Sequence, residues 1–159
     1  MERENAVKKS LIDKFNLLDE KISIPRERRI FAEVSYSVFM DVCGFAAGEL
    51  GFNSLCAITG LDIGENLQFI YHLADKNGIV LNLKLEVPKA NPVIKSVTPI
   101  FNGAIFYEKE LKDLFGAVVE GLSEDGRRYP LPDGWPEGQY PLRKSWNQKE
   151  MLHGKEEVE

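Results

Sequence analysis

Three carboxylates fall within six residues at Glu108, Glu110 and Asp113, interleaved with Lys109 and Lys112. Grouped acids of this kind are the material of a proton-transfer site or a hard-cation site, because they shift one another's protonation and offer oxygen ligands. Either chemistry also needs a base, a nucleophile or an open coordination position within reach. The flanking sequence supplies none. The charges stand instead in the order that pairs Glu108 with Lys112 and Lys109 with Asp113 along a helix, each pair worth about 0.2 to 0.5 kcal/mol. A solvated helix face is the simpler reading. A small-molecule site on Glu108, Glu110 and Asp113 would need a pocket beside the helix and a displaced carboxylate pKa.

Other reactive side chains are few. Cys43 and Cys56 are the only cysteines, and His72 and His153 the only histidines. Two isolated thiols among apolar neighbours read as buried small hydrophobes. A zinc site or an iron–sulfur cluster held by this chain alone lacks ligands. Gly60-Leu61-Asp62-Ile63-Gly64 has two glycines but neither a third nor the Lys-Ser/Thr of a phosphate loop, so it reads as a turn. The expectation is a chain with no catalytic, cofactor-binding or metal-ligating residue, and no cofactor.

The 159 residues, with 20 basic against 25 acidic side chains and a net charge of −5, suit one domain. An acidic balance argues against nucleic acid as a partner. No run approaches the roughly 18 to 20 apolar residues of a membrane span. The charged start Met1-Glu2-Arg3-Glu4 is not a secretory signal, which gives a soluble, cytoplasmic chain as the expectation.

Charge and composition are uneven. Residues 121–147 hold four of the eight prolines (Pro130, Pro132, Pro136, Pro141) and both tryptophans, Trp135 and Trp146. Arg127, Arg128, Arg143 and Lys144 sit among them, with Tyr129 and Tyr140. Long loops without secondary structure are uncommon in compact domains, and disordered tails are poor in aromatics. Aromatic and arginine side chains on a proline-stiffened backbone are the material of interface hot spots. The segment reads as an arm laid on a partner protein, or as a tail packed back on its own domain.

The elements that would position these residues follow from periodicity. Val7, Leu11, Ile12, Phe15 and Leu18 form one stripe of a helix over 4–20, with a linker around Ile22-Ser23-Ile24 up to Pro25. Arg28 to Ser35 predicts a strand, Ser37 to Leu50 a helix capped by Ser37, and Ser54 to Thr59 a strand. Leu67 to Leu73 and Ile79 to Val87 flank Asp75-Lys76-Asn77-Gly78, a hairpin signal. Ile79, Leu81, Leu83, Leu85 and Val87 alternate strictly with Val80, Asn82, Lys84 and Glu86, a nearly all polar set, so the sheet is covered on one face. Tyr107, Leu111, Leu114 and Phe115 give a helix over 104–115, stopped by Gly116 and followed by a strand at 117–119. The fold class is α+β: an antiparallel or mixed sheet with helices on one face, plus an extended irregular C-terminal arm. The organisation is a domain over 1–120, with helix and linker at 1–24, the arm at 121–147 and a polar tail at 148–159.

Asn91-Pro92-Val93-Ile94-Lys95-Ser96-Val97-Thr98, then Glu108-Lys109-Glu110 with Asp113 and Gly116, resembles the 30-kDa-type C subunit of respiratory complex I. That family's signature is Glu-Arg-Glu, two residues, Asp, two hydrophobics and Gly; Lys109 stands here for the arginine. Downstream, Arg127-Arg128 and Tyr140-Pro141-Leu142-Arg143-Lys144 match its paired arginines and Pro-Leu-Arg-Lys end. Leu131-Pro132-Asp133-Gly134-Trp135-Pro136 is closer to the related subunit of energy-converting nickel–iron hydrogenases. The resemblance implies a cofactor-free accessory subunit of a membrane-associated, proton-pumping redox complex. Such a complex couples electron transport to proton translocation, as an NADH:quinone oxidoreductase or a hydrogenase does. Its partners would be the D-type large subunit, which borders the quinone or nickel–iron site, and the neighbouring iron–sulfur subunit. It would sit on the cytoplasmic side, peripheral to the membrane through the complex, with no activity of its own. Its signature and interface residues would be Glu108, Lys109, Glu110, Asp113, Gly116, Arg127, Arg128, Trp135, Tyr140, Pro141, Leu142, Arg143 and Lys144. A stand-alone adaptor or assembly factor of the same fold is the alternative.

Overall fold

Strict alternation over the two longest apolar stretches builds the centre of the molecule. In the computed structural model, which describes residues 1–123 and 126–148, strands β4 (Asn66–Ala74) and β5 (Val80–Pro88) form an antiparallel hairpin. The turn is fixed by Asp75, whose Oδ1 accepts from the N–H groups of Asn77 (2.9 Å) and Ile79 (2.8 Å), while Gly78 takes a positive φ of 77°. β3 (Ser54–Asp62) pairs antiparallel with β4. On the other side β2 (Arg29–Glu33) pairs parallel with β5, and β1 (Ile22–Arg26) closes the edge against β2. The sheet is mixed, in the order β1-β2-β5-β4-β3.

One face is apolar. Leu81, Leu83, Leu85 and Val87 of β5 and Leu67, Phe69, Tyr71 and Leu73 of β4 are buried there. Such a side chain contributes about 1.5 to 3 kcal/mol on full burial. They pack with Leu11 of helix α1 (Glu2–Lys14), with Phe39, Val42, Cys43 and Ala46 of α2 (Phe39–Gly48), and with Leu111 and Phe115 of α3 (Ala104–Phe115). The opposite face carries Glu33, Gln68, Lys84 and Glu86. Across it runs a side-chain chain. Asn82 Nδ2 donates to Ile30 O (2.8 Å), which turns its Oδ1 toward His72 Nδ1 (2.6 Å). That leaves His72 Nε2 to accept from the Thr59 hydroxyl at 2.9 Å, so one chain of bonds ties β2, β5, β4 and β3 together.

Several local readings change. The stretch read as a linker is strand β1; Pro25 is tolerated because β1 is an edge, with its register shifting between Ser23 and Arg26. The first helix ends at Lys14 and is followed by a 3-10 turn at Asn16–Leu18. Ser37 caps nothing: it lies in a 3-10 turn, bonded to the Ser35 hydroxyl, and α2 begins after Val38 without a side-chain cap. Cys43 is buried as expected, and burial pushes its thiol pKa up, whereas Cys56 is exposed at a register shift between Leu55 and Ala57. The expected closing strand is β7 (Val118–Glu120), paired parallel with β6 (Val93–Lys95) as a separate two-stranded sheet. The reading of 149–159 as a polar tail lies outside the described residues.

Candidate functional site

Helix α3 spans the residues that its periodicity marks out, and its apolar side rests on the sheet. Phe115 fixes the seat. A Cβ on Gly60 of β3 would lie 2.3 Å from the Phe115 ring, so the last turn of α3 settles there only because residue 60 has no side chain. Gly116 then ends the helix in the left-handed conformation at φ 71°, its N–H bonded to Lys112 O (3.0 Å).

Glu108 does not lie on a solvated face. It is 0% exposed, and its carboxylate accepts from the Val97 N–H at 2.6 Å and the Ser96 hydroxyl at 2.7 Å. Ser96 in turn holds Thr98 through a hydroxyl contact of 2.6 Å. The carboxylate therefore staples the segment after β6 to α3. Burial raises its pKa above the usual carboxylate value, partly offset by the bonds from Val97 and Ser96. The perturbed acid and the groove beside the helix lie apart, since Glu108 does not line that groove. Glu110 is half-buried on α3 and also stands outside it.

The groove is made by the arm. Helices leave their last carbonyls without intrahelical donors, and here the arm supplies them. The Leu142 N–H donates to Leu114 O (3.1 Å), and Arg143 Nε donates to Phe115 O (2.7 Å). Tyr140 lies over Gly116, where a Cβ would come within 2.5 Å of its ring, and Arg143 stacks on that ring at 4.6 Å. Further along, Asp113 accepts from the Tyr129 N–H (2.9 Å). At the end, the Lys144 N–H donates to Asp62 Oδ2 at 2.9 Å. Asp62 also takes Lys89 (3.0 Å) and the Gly64 N–H (3.0 Å). Burial alone would raise its pKa, but the bonds from Gly64, Lys144 and Lys89 outweigh that and hold it at about 2.

These contacts enclose a groove of about 580 Å³ between α3, β7 and the arm. Of the residues marked by sequence, Lys109, Asp113, Gly116, Arg127, Arg128 and Tyr140 line it. Trp135 stands apart with Trp146, their rings stacked at 6.3 Å and the Trp135 Nε1–H donating to Gln139 O (2.8 Å). Pro141, Leu142, Arg143 and Lys144 form the strap over the helix end; the Leu142 side chain is 51% exposed. Two groups were missed. Asp62 read only as part of a turn, and the signal available was its Asp-Ile-Gly spacing, which suits an Asx turn. Phe106 falls outside the apolar stripe of Tyr107, Leu111, Leu114 and Phe115; it is 58% exposed and meets the Tyr129 ring edge-on at 5.4 Å. Among the described residues no group of three or more His, Cys, Asp or Glu could hold a metal ion.

Comparison with known proteins agrees with this architecture. Residues 32–151 match the family described as the respiratory-chain NADH dehydrogenase 30 kDa subunit. The C subunit of the F(420)H(2) dehydrogenase of Methanosarcina mazei is 33% identical over 140 residues, 86% of this chain and 87% of that protein. The beta subunit of the membrane-bound hydrogenase of Pyrococcus furiosus is 37% identical over 86 residues, 52% of this chain and 49% of that protein. Among solved structures, a trypsin-resistant fragment of Nqo5 superposes with a TM-score of 0.60 at 26% identity, covering 69% of this chain and 96% of the fragment. A chain of the membrane-bound sulfane sulfur reductase, an archaeal respiratory membrane complex, shares the fold with a TM-score of 0.80 at 24% identity, over 97% of this chain and 91% of that one. With the profile running from the sheet through α3 and along the arm, this chain belongs to the family of the 30 kDa subunit of the respiratory-chain NADH dehydrogenase.

Proposed function

We propose that this chain is an accessory subunit, itself without a redox cofactor, of a membrane-associated proton-pumping redox complex of the complex I-like or energy-converting hydrogenase type. The face formed by α3 and the arm docks on the D-type large subunit, with the iron–sulfur subunit as neighbour. The observation that carries this reading is that the family match runs through α3 and the arm that caps it. The match covers residues 32–151 and so includes the arm as well as most of the domain. Subunits of F(420)H(2) dehydrogenase, of a membrane-bound hydrogenase and of NADH-quinone oxidoreductase among its relatives support the same reading. No helix among the described residues is long and apolar enough to cross a membrane. In this reading the chain reaches the cytoplasmic membrane only through its partner subunits.

The test is affinity purification of the tagged chain from native membranes in mild detergent, with bound proteins identified by mass spectrometry. A D-type large subunit and an iron–sulfur subunit are the expected partners. Recovery of unrelated proteins alone would sink the reading. Deleting residues 121–147 should abolish the recovery, and unchanged recovery would move the docking surface to another face.

A further inference from the structure

Among the described residues, the groove beside α3 has an arginine and an aromatic lip that the fold-back contacts do not engage. Among the described residues, four cationic side chains, Lys109, Lys112, Arg127 and Arg128, and two acids, Asp113 and Glu137, line it. One oxygen of Asp113 accepts from the Tyr129 N–H. Lys109, Lys112 and Arg127 have interactions of their own within the chain. Arg128 differs: it is half-buried in the groove, and among the described residues no hydrogen bond or ion pair engages its guanidinium. A guanidinium withdrawn from water gains from a paired acceptor, and its planar fork matches a carboxylate. Beside it Tyr129 is 46% exposed and packs edge-on with the exposed Phe106. An arginine next to exposed rings is the composition of an interface hot spot.

We infer that this groove receives an extended segment of the large subunit, with an Asp or Glu side chain on Arg128 and an apolar neighbour on the Phe106–Tyr129 pair. A small free anion would leave both rings exposed. The inference rests on the docking reading above and names the chemistry of the contact.

The experiment measures binding of the purified full-length chain to the purified large subunit over a series of KCl concentrations, for wild type, Arg128→Lys and Arg128→Glu. Arg128→Glu should weaken binding by about tenfold or more at low salt and flatten its salt dependence, with Arg128→Lys between the two. Lysine substitutions scanned over the acidic surface positions of the large subunit should include one that restores binding to Arg128→Glu. Binding of Arg128→Glu within about fivefold of wild type overturns the inference. So does a larger loss that no acidic position rescues, or an equal loss of binding to vesicles of phosphatidylcholine and phosphatidylserine, which would reassign the groove to a lipid surface. Failure of the wild-type chain to bind the large subunit ends the docking reading itself and this inference with it, an outcome distinct from the other three.

Discussion

Glu108 ties the segment after β6 to α3. Its carboxylate satisfies two buried donors at once, the Val97 N–H and the Ser96 hydroxyl. Glu108→Ala leaves both without an acceptor and opens a void, so we expect a loss of about 2 to 4 kcal/mol in urea unfolding at neutral pH. Glu108→Gln keeps an acceptor for Val97 and can donate to Ser96 while removing a buried charge, so its cost should be under about 1.5 kcal/mol. The two forms separate with pH. Because burial raises the native pKa of Glu108 above its ordinary value of 4.5, its protonation favours the folded state most below that value. That contribution fades as pH rises through the native pKa. Unfolding curves from pH 4.5 upward should therefore show wild type losing stability relative to Glu108→Gln, and parallel curves would refute the sign.

At the scale of elements, the end of α3 is held by residues far away in sequence. Gly116→Ala places a methyl group on a backbone at φ 71° and against the Tyr140 ring. We expect at least about 1 kcal/mol of destabilisation, with faster tryptic cleavage at Arg127, Arg128, Arg143 and Lys144 as the strap lifts. Asp62→Asn removes the charge shared by Lys89 and the Lys144 N–H, and hydrogen exchange should quicken at Lys144 and Leu142 while the β4–β5 hairpin stays protected. In wild type the same loosening should appear only in acid, as pH falls from the ordinary carboxylate range through about 2.

What could be read beforehand divides along the same line. The hairpin and α3 were legible because each carries its own period, of two or of 3.6, within a single stretch. The parallel pairings of β2 with β5 and β6 with β7 join distant segments and leave no local pattern. The inward turn of Glu108 was hidden because a glutamate four residues before a lysine reads as a surface pair. The fold-back of the arm was hidden because much of it uses backbone N–H groups, which every sequence has. The types of residue in the groove were legible; their convergence was not.

For the whole molecule, the arm stands between structure and interface. One side of it satisfies α3, and the other presents the lip and strap of a groove. Removing residues 121–147 should cost about 2 to 4 kcal/mol, from lost hydrogen bonds of about 1 kcal/mol each and the exposed seat of Tyr140. The remaining chain should still unfold in one cooperative transition by circular dichroism, because the sheet, α1 and α2 share their core without the arm. Non-cooperative melting would show that the arm belongs to the core. The capping of α3 also sets an order in time. Its donor on Arg143 lies 28 residues downstream of Phe115. During synthesis at roughly 5 to 20 residues per second, the helix end waits about 1 to 6 s for its cap. A ribosome-bound chain that has just released α3 therefore carries an open helix terminus and an unroofed cationic face. Both close only once the strap has emerged, so the face proposed for docking forms after α3 itself.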